Sequence, residues 1–394
     1  MFQFMTSTRI IFGEGAMHDS LSLLNQFGYS ALLVTGQDQQ RSQQLEQYFK
    51  QQNIRYQRLV IKGEPLIAMI EELAAMGRTF CPDMVVGIGG GSVLDVAKSL
   101  AALIPNQGSV YDYVDVVGRN VPLQVKSLPF IAIPTTAGTG AEVSKSAVLQ
   151  SAQEQVKVNL SNVELFPDLA IIDPTLTYGM DAVLSGCCAM DAFTHLMEAY
   201  VCGEPNPLTD MICEEGLRRI TTSILPACRD DHYPSRSNMA FAAMLGGMAR
   251  SNAKLGAAHG LASALSGRLE APHGLITARL SPYVMKENIS VAIELGRSDV
   301  LARYQKLAVI LTLNNDADIE DSVQWVDSML TKLQLPLLSD YGLCNTMFEE
   351  VADDALRSCT IKGNPLPLNQ QRLLTILQQV CSVKLSLSNI KFSE

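Results

Sequence analysis

Histidine is scarce in this chain, with five in 394 residues, and three of the five stand where they could act together. His195 follows Asp191 by four positions, which puts a carboxylate and an imidazole on one helix face, the spacing of a two-point metal grip. His259-Gly260 and Pro272-His273-Gly274 bracket a stretch of small residues further on. Taken singly, each has a plain structural role: Asp191 as a dipole-favoured helix start, His195 as a satisfied core histidine, the His-Gly pairs as caps or turns. Taken together, Asp191, His195, His259 and His273 predict one divalent metal. One carboxylate and three imidazoles suit iron(II) or zinc and leave a position for a substrate oxygen. His18 and His232 lie in polar surroundings and are expected at the surface.

The second concentration of chemistry is glycine-rich. Met84 to Ile88 reads as a buried strand and runs into Gly89-Gly90-Gly91-Ser92, with Asp95 three residues beyond Ser92. Glycines there let the backbone turn tightly and approach a ligand. Ser92 and Asp95 stand as N-cap and N3 of the helix that follows, and a helix N-terminus is a phosphate site. A plain strand-to-helix turn accounts for that loop equally well. A second strand, Phe130 to Ile133, leads into Pro134-Thr135-Thr136-Ala137-Gly138-Thr139-Gly140, again small and hydroxyl-bearing. Two such loops at neighbouring strand ends suit a dinucleotide.

These loops need a scaffold, and the first part of the chain supplies its pattern. Strand-like Ala31–Thr35, Tyr56–Ile61 and Met84–Ile88 alternate with helix-like Arg41–Gln52 and Pro65–Met76, the form of a doubly wound parallel sheet. Leu169 to Asp173 reads as its last strand. Past Met180 helical periodicity dominates, over Asp191–Val201, Pro207–Ile224, Ser237–Leu255, Ser298–Leu311, Ile319–Leu333 and Leu368–Val380. Two domains are therefore expected, an α/β dinucleotide-binding domain over 1–180 and a helical metal-binding and catalytic domain over 181–394.

Composition narrows the function classes. A net charge of −10 without a basic run argues against sequence-independent nucleic-acid binding. Nine scattered cysteines with no CxxC pair suggest neither a disulfide framework nor a zinc knuckle. The first fifteen residues lack the continuous apolar core of a signal peptide, and no window reaches a membrane span of roughly 20 apolar residues. A soluble, cytoplasmic protein without a membrane partner is expected.

In order, spacing and residue type these motifs resemble the iron-activated, group III alcohol dehydrogenases. The resemblance rests on Gly89-Gly90-Gly91-Ser92 with Asp95 and Lys98, Pro134 to Ser144, Asp191 with His195, His259-Gly260 and Pro272-His273-Gly274. It extends from Thr8-Arg9-Ile10-Ile11-Phe12-Gly13 to Gly363-Asn364-Pro365-Leu366-Pro367. It implies hydride transfer between NAD or NADP and a small alcohol or aldehyde, in a cleft between the two domains, and a homodimer is expected. Gly89, Gly90, Gly91 and Ser92 would hold the pyrophosphate. Thr135, Thr136, Thr139 and Lys157 would touch the nucleotide, and Asp95 would lie near its nicotinamide end. The four metal positions match.

Three departures from that family mark this chain. Many relatives carry a further histidine where Ser263 stands, placed to relay a proton; the relay here runs through Ser263 and water or through the ribose. Where NAD-preferring members often have an aspartate after the first strand, this chain has Gly36, followed by Gln37, Asp38 and Arg41, which leans toward NADP. Finally, Arg250 occupies a position that is commonly large and apolar and lines the substrate pocket, with Lys254 one helical turn beyond. Two readings carry equal weight: Arg250 binds a substrate carboxylate or phosphonate, or it pairs with an acidic residue while Lys254 snorkels to the surface. A lyase resembling dehydroquinate synthase and a catalytically silent nucleotide sensor are the rival functions.

Overall fold

The computed structural model of the chain describes residues 1–6 and 8–382. Its N-terminal half runs β1 (Arg9–Phe12), α1 (Ala16–Ser20), β2 (Ser30–Thr35), α2 (Gln40–Gln51), β3 (Arg55–Val60), α3 (Ile67–Phe80), β4 (Met84–Gly89) and α4 (Gly91–Leu103). After these come β5 (Phe130–Pro134), β6 (Ser146–Ser151), β7 (Val156–Ser161) and β8 (Leu169–Ile172). Six strands form one parallel sheet in the order β1-β8-β5-β4-β2-β3.

The near-continuous apolar runs of β2, β4 and β5 are buried throughout, because helices cover both faces. Strand alternation divides the side chains between two cores. Leu32 and Val34 of β2 pack with Ile67 and Ile70 of α3 and Leu94 and Ala97 of α4, while Ala31 and Leu33 point to Met17 of α1 and Leu45 and Phe49 of α2. The chain moves outward from β2 to β3 and then returns to place β4 on the other side of β2. This reversal opens a crevice at the C-terminal strand ends, where Gly36 and Gly89 stand, and ligands of open α/β sheets bind in such crevices.

Three strands of this half were not anticipated. Arg9–Phe12 is an edge strand beside β8, so Leu169–Ile172 lies inside the sheet between β1 and β5. β6 and β7 form a separate antiparallel hairpin lying against α4. Of the predicted helices, the one expected over Pro65–Met76 begins at Ile67 because the Pro65 carbonyl accepts the Gln150 N–H of the hairpin.

The second half is helical: α5 (Ala182–Val201), α6 (Pro207–Asp230), α7 (Tyr233–Asn252), α8 (Ala257–Leu265), α9 (His273–Glu294), α10 (Ser298–Thr312), α11 (Ile319–Lys332), α12 (Phe348–Arg357) and α13 (Gln370–Ser382). α5 is its axis, packed against α6, α7 and α9 and buried on every side over its last two thirds. Asp181 caps it by accepting from the Val183 and Leu184 amides. No described helix is long and apolar enough to cross a membrane.

Candidate active site

Because α5 is buried all round, its polar residues must be satisfied internally or serve a ligand. Asp191 and His195, one turn apart, are 2% and 1% exposed. Packing against them brings in α8, whose third residue is His259, and α9, whose first residue is His273. Both histidines sit in first helical turns, not in the isolated turns or caps that their glycine neighbours suggested.

Asp191, His195 and His259 bring one ligand atom each within 4.8 Å of one another. Asp191 Oδ2 lies 3.9 Å from His195 Nδ1, and Oδ1 lies 3.8 Å from His259 Nε2. These gaps exceed a hydrogen bond, so the facing atoms are unspent on one another, and Asp191, His195 and His259 would be free to hold a divalent ion. His195 Nδ1 and His259 Nε2 are buried and have no hydrogen-bond partner among the described residues. Burial holds the His195 and His273 imidazoles well below the usual histidine range, so both are neutral with lone pairs to offer. Orphaned nitrogens around a carboxylate are a donor set that fits a divalent metal. His273 stands just outside this trio, its ring 5.8 Å from that of His259, with its Nδ1 3.1 Å from Ser266 Oγ.

Sequence reasoning missed the groups that orient these donors. Glu198 accepts from His259 Nδ1 at 2.6 Å, and Thr277 Oγ1 donates to Asp191 Oδ1 at 3.1 Å. Glu198 was legible: at seven residues after Asp191 and three after His195 it shares their helix face.

The nucleotide loops meet as expected, with one correction. The N-cap of α4 is Gly90 in extended conformation and no side chain caps it, so Ser92 and Asp95 are not a capping pair. Asp95 is instead buried, and its Oδ2 accepts the Val148 N–H of β6 at 3.1 Å, docking the hairpin on α4. Burial raises its pKa, against the opposing pull of Lys98 and Arg250. A Cβ on Gly90 would come within 3.2 Å of Thr136 Cγ2, a tight contact, and one on Gly91 within 2.7 Å of Thr139 Cγ2, so at Gly91 above all the glycine lets the two loops meet this closely. Thr135 is buried beside them and extends the sheet by its N–H bond to the Gly89 carbonyl. Lys98, 1% exposed, ties the second loop to α4 by donating to the carbonyls of Ala141, Ser144 and Ser146 and to Ser144 Oγ.

Gly91, Ser92, Asp95, Thr139 and Lys157 line one pocket with Asp191, His195, Arg250, His259, Ser263 and His273. Lys157, on β7, pairs with Glu64 at 2.8 Å on the pocket wall. Ser263 Oγ donates to the His259 carbonyl at 2.9 Å. Arg250 donates to Ser144 Oγ at 3.0 Å, its Nε is buried without a partner, and no carboxylate pairs with it among the described residues. No close ion pair supports the acidic-partner reading of Arg250, although Asp95, Glu142 and Asp191 lie near enough to feel its charge. Lys254 does reach the surface, where it pairs with Glu204, but α7 ends at Asn252, so it is not one helical turn beyond Arg250. Arg41 is committed to Asp38 and to the carbonyls of Leu176 and Tyr178, so its charge is not free for a ribose phosphate. His18 and His232 are exposed.

Known proteins agree with this layout. Residues 7–174 match the family model for iron-containing alcohol dehydrogenase, and residues 187–381 match the C-terminal model of the same family. The chain is 34% identical over 324 residues to 4-hydroxybutyrate dehydrogenase of Cupriavidus necator, covering 80% of this chain and 82% of that one. It is 28% identical over 393 residues to NADPH-dependent butanol dehydrogenase of Clostridium saccharobutylicum, covering 96% and 98%. Among solved structures, a 1,3-propanediol oxidoreductase superposes with a TM-score of 0.89 at 27% identity, over 96% of this chain and 100% of that one. With both halves matched in order and the parallel sheet and helical half shared, this chain belongs to the iron-containing alcohol dehydrogenases, oxidoreductases that act on alcohols.

Proposed function

We propose that the chain moves a hydride between a nicotinamide cofactor and a small alcohol or aldehyde that carries a carboxylate or phosphonate group. The observation that carries this reading is the single pocket into which the Asp191, His195 and His259 cluster, the Gly91-Ser92 loop and Arg250 all face. Asp191, His195, His259 and His273 would hold iron(II) or zinc, which supplies Lewis acidity that lowers the pKa of a substrate hydroxyl and polarises a carbonyl. The nicotinamide supplies or accepts the hydride.

The chain's own task is placement. Gly89, Gly90, Gly91 and Ser92 would cradle the pyrophosphate at the N-terminus of α4, with Thr135, Thr136, Thr139 and Lys157 along the nucleotide and Asp95 at its nicotinamide end. Gly36 carries no carboxylate to repel a ribose 2′-phosphate, which favours NADP. Ser263 donates its hydrogen to the His259 carbonyl, so it would at most hold a water by accepting from it and passes no proton on itself; the proton would leave through such a water to solvent or through the ribose.

Arg250 reads the acid. Ser144 holds one end of its guanidinium, and the rest has no carboxylate partner in the pocket. A planar cation in this state suits a bidentate acidic ligand. One relative is named for 4-hydroxybutyrate, itself a hydroxy acid. The test is turnover of an uncharged aldehyde and its ω-carboxylated analogue, with both cofactors, on protein reconstituted anaerobically with iron(II). Arg250→Ala is expected to lower kcat/KM for the carboxylated substrate by about 10- to 100-fold, the loss of a charge-assisted contact, and to spare the uncharged one. Equal loss on both would refute the assignment.

A further inference from the structure

We infer that Glu198 is a positioning residue that decides which nitrogen of His259 is offered to the metal. The inference rests on the reading of His259 as a ligand. Glu198 is 2% exposed, and both of its oxygens are in use. Oε2 accepts from His259 Nδ1 at 2.6 Å, from the Gly256 N–H at 3.0 Å and from the His259 N–H at 3.4 Å, while Oε1 accepts from the Ala258 N–H at 2.7 Å.

The need for this carboxylate arises at the start of α8. Its N-cap is Gly256, which has no side chain to satisfy the first free amides of the helix. Two distant side chains do so instead: Glu198 from α5, and Asn364, whose Oδ1 accepts from the Ala257 N–H at 3.1 Å. Asn364 is anchored by donating to Asn288 Oδ1 at 2.6 Å and to the Leu366 carbonyl at 2.7 Å.

The two caps differ in one respect. Asn364 stabilises the helix alone, whereas Glu198 also grips the imidazole. A carboxylate accepts and cannot donate, so the imidazole hydrogen of His259 acting as a ligand must sit on Nδ1, and Nε2 is left with a lone pair facing Asp191. One face of α5 thus carries two ligands and the residue that orients a third. Its two carboxylates, Asp191 and Glu198, match the double charge of a divalent ion in a buried site.

Glu198→Gln keeps the shape and removes this logic. If its amide nitrogen faces Nδ1, that nitrogen must accept, and the hydrogen moves to Nε2, where a metal cannot bind. If its oxygen faces Nδ1, the amide nitrogen confronts the Ala258 N–H. Zinc affinity, measured by competition with a chromophoric chelator alongside the circular dichroism of each protein, is expected to fall about 10- to 100-fold in Glu198→Gln. Glu198→Asp, shorter but still acceptor-only, is expected to bind zinc more tightly than Glu198→Gln. Asn364→Ala is expected to lower thermal stability while binding zinc as wild type does.

Wild-type affinity in a folded Glu198→Gln, with His259→Ala weakened, overturns the inference and leaves the ligand reading standing. Wild-type affinity in His259→Ala overturns the ligand reading itself. Equal weakening by Asn364→Ala and Glu198→Gln, or Glu198→Asp weaker than Glu198→Gln, also overturns the inference, since helix capping or bulk would then explain the loss.

Discussion

Replacing Gly247 with alanine should destabilise the protein, while the same change at Gly246 should not. Both glycines lie inside α7, where alanine is favoured over glycine by up to about 1 kcal/mol. A Cβ on Gly247 would lie 2.8 Å from both the carbonyl carbon and the Cα of Gly140, and closer still to its oxygen. Carbon contacts normally settle at about 3.5–4.0 Å, so α7 must retreat from the loop by about 1 Å. The neighbour is backbone and cannot rotate away, and Gly140 already holds a φ of +61°. Overpacking of this kind costs about 1–3 kcal/mol, which leaves a net loss of up to about 2 kcal/mol after the helix gain. On Gly246 the new Cβ would meet His195 Cβ at 3.4 Å and the Ala192 oxygen at 3.5 Å, ordinary contacts, so the helix gain survives. Thermal unfolding should rank Gly246→Ala at or above wild type and Gly247→Ala below it. Arg250 lies one turn past Gly247, and a displacement of about 1 Å there can cost on the order of 100-fold in turnover. Gly247→Ala as stable and as active as wild type would refute the claim that α7 and the second nucleotide loop meet backbone to backbone.

Further outcomes follow from the same site. Burial raises the Glu142 carboxyl from 4.5 to about 7, against the pull of Lys98 and Arg250. The native chain then holds more protons than the unfolded chain between these values, so this contribution to stability is full below 4.5 and is lost as pH rises through about 7. Denaturant melts across that window should show a flatter pH dependence for Glu142→Gln than for wild type; parallel curves would contradict the shift. Lys98→Met strips four oxygens of their donor, which should cost about 1–3 kcal/mol in the same melts; a loss below about 1 kcal/mol would show that the loop is held otherwise. Removing the metal with a chelator should lower the melting temperature, because a ligand present at about 100 times its Kd adds about 2.7 kcal/mol; an unchanged melt after verified metal loss would argue against a site shared by three helices.

How much was legible depended on whether a signal was local. Ala31–Thr35, Met84–Ile88 and Phe130–Ile133 could be read because a doubly covered strand needs an unbroken apolar run. The hairpin escaped because Ser146–Ser151 and Val156–Ser161 bury only alternate residues and carry serines at their ends. α8 and α9 escaped because histidine and glycine at their starts suggested turns, and what stabilises the start of α8 comes from Glu198 and Asn364, distant in sequence. Asp95 misled for a related reason. Three residues after a serine it has the spacing of a local cap, but burial and an amide on β6 claimed it instead. Arg250 could be noticed in sequence, yet whether a carboxylate faced it depended on packing across the cleft.

The hairpin has a consequence for how this chain can change. In β7, Val158 and Leu160 are buried in the core while Lys157 and Asn159 line the pocket. This division rests on a period of two. Inserting or deleting one residue within β7 would exchange the two sets, drawing a lysine into the core and presenting a leucine to the cofactor. Two residues together would preserve it. Insertions tolerated within this strand should therefore come in even numbers, so the cleft's character on that wall is inherited as parity and not as length.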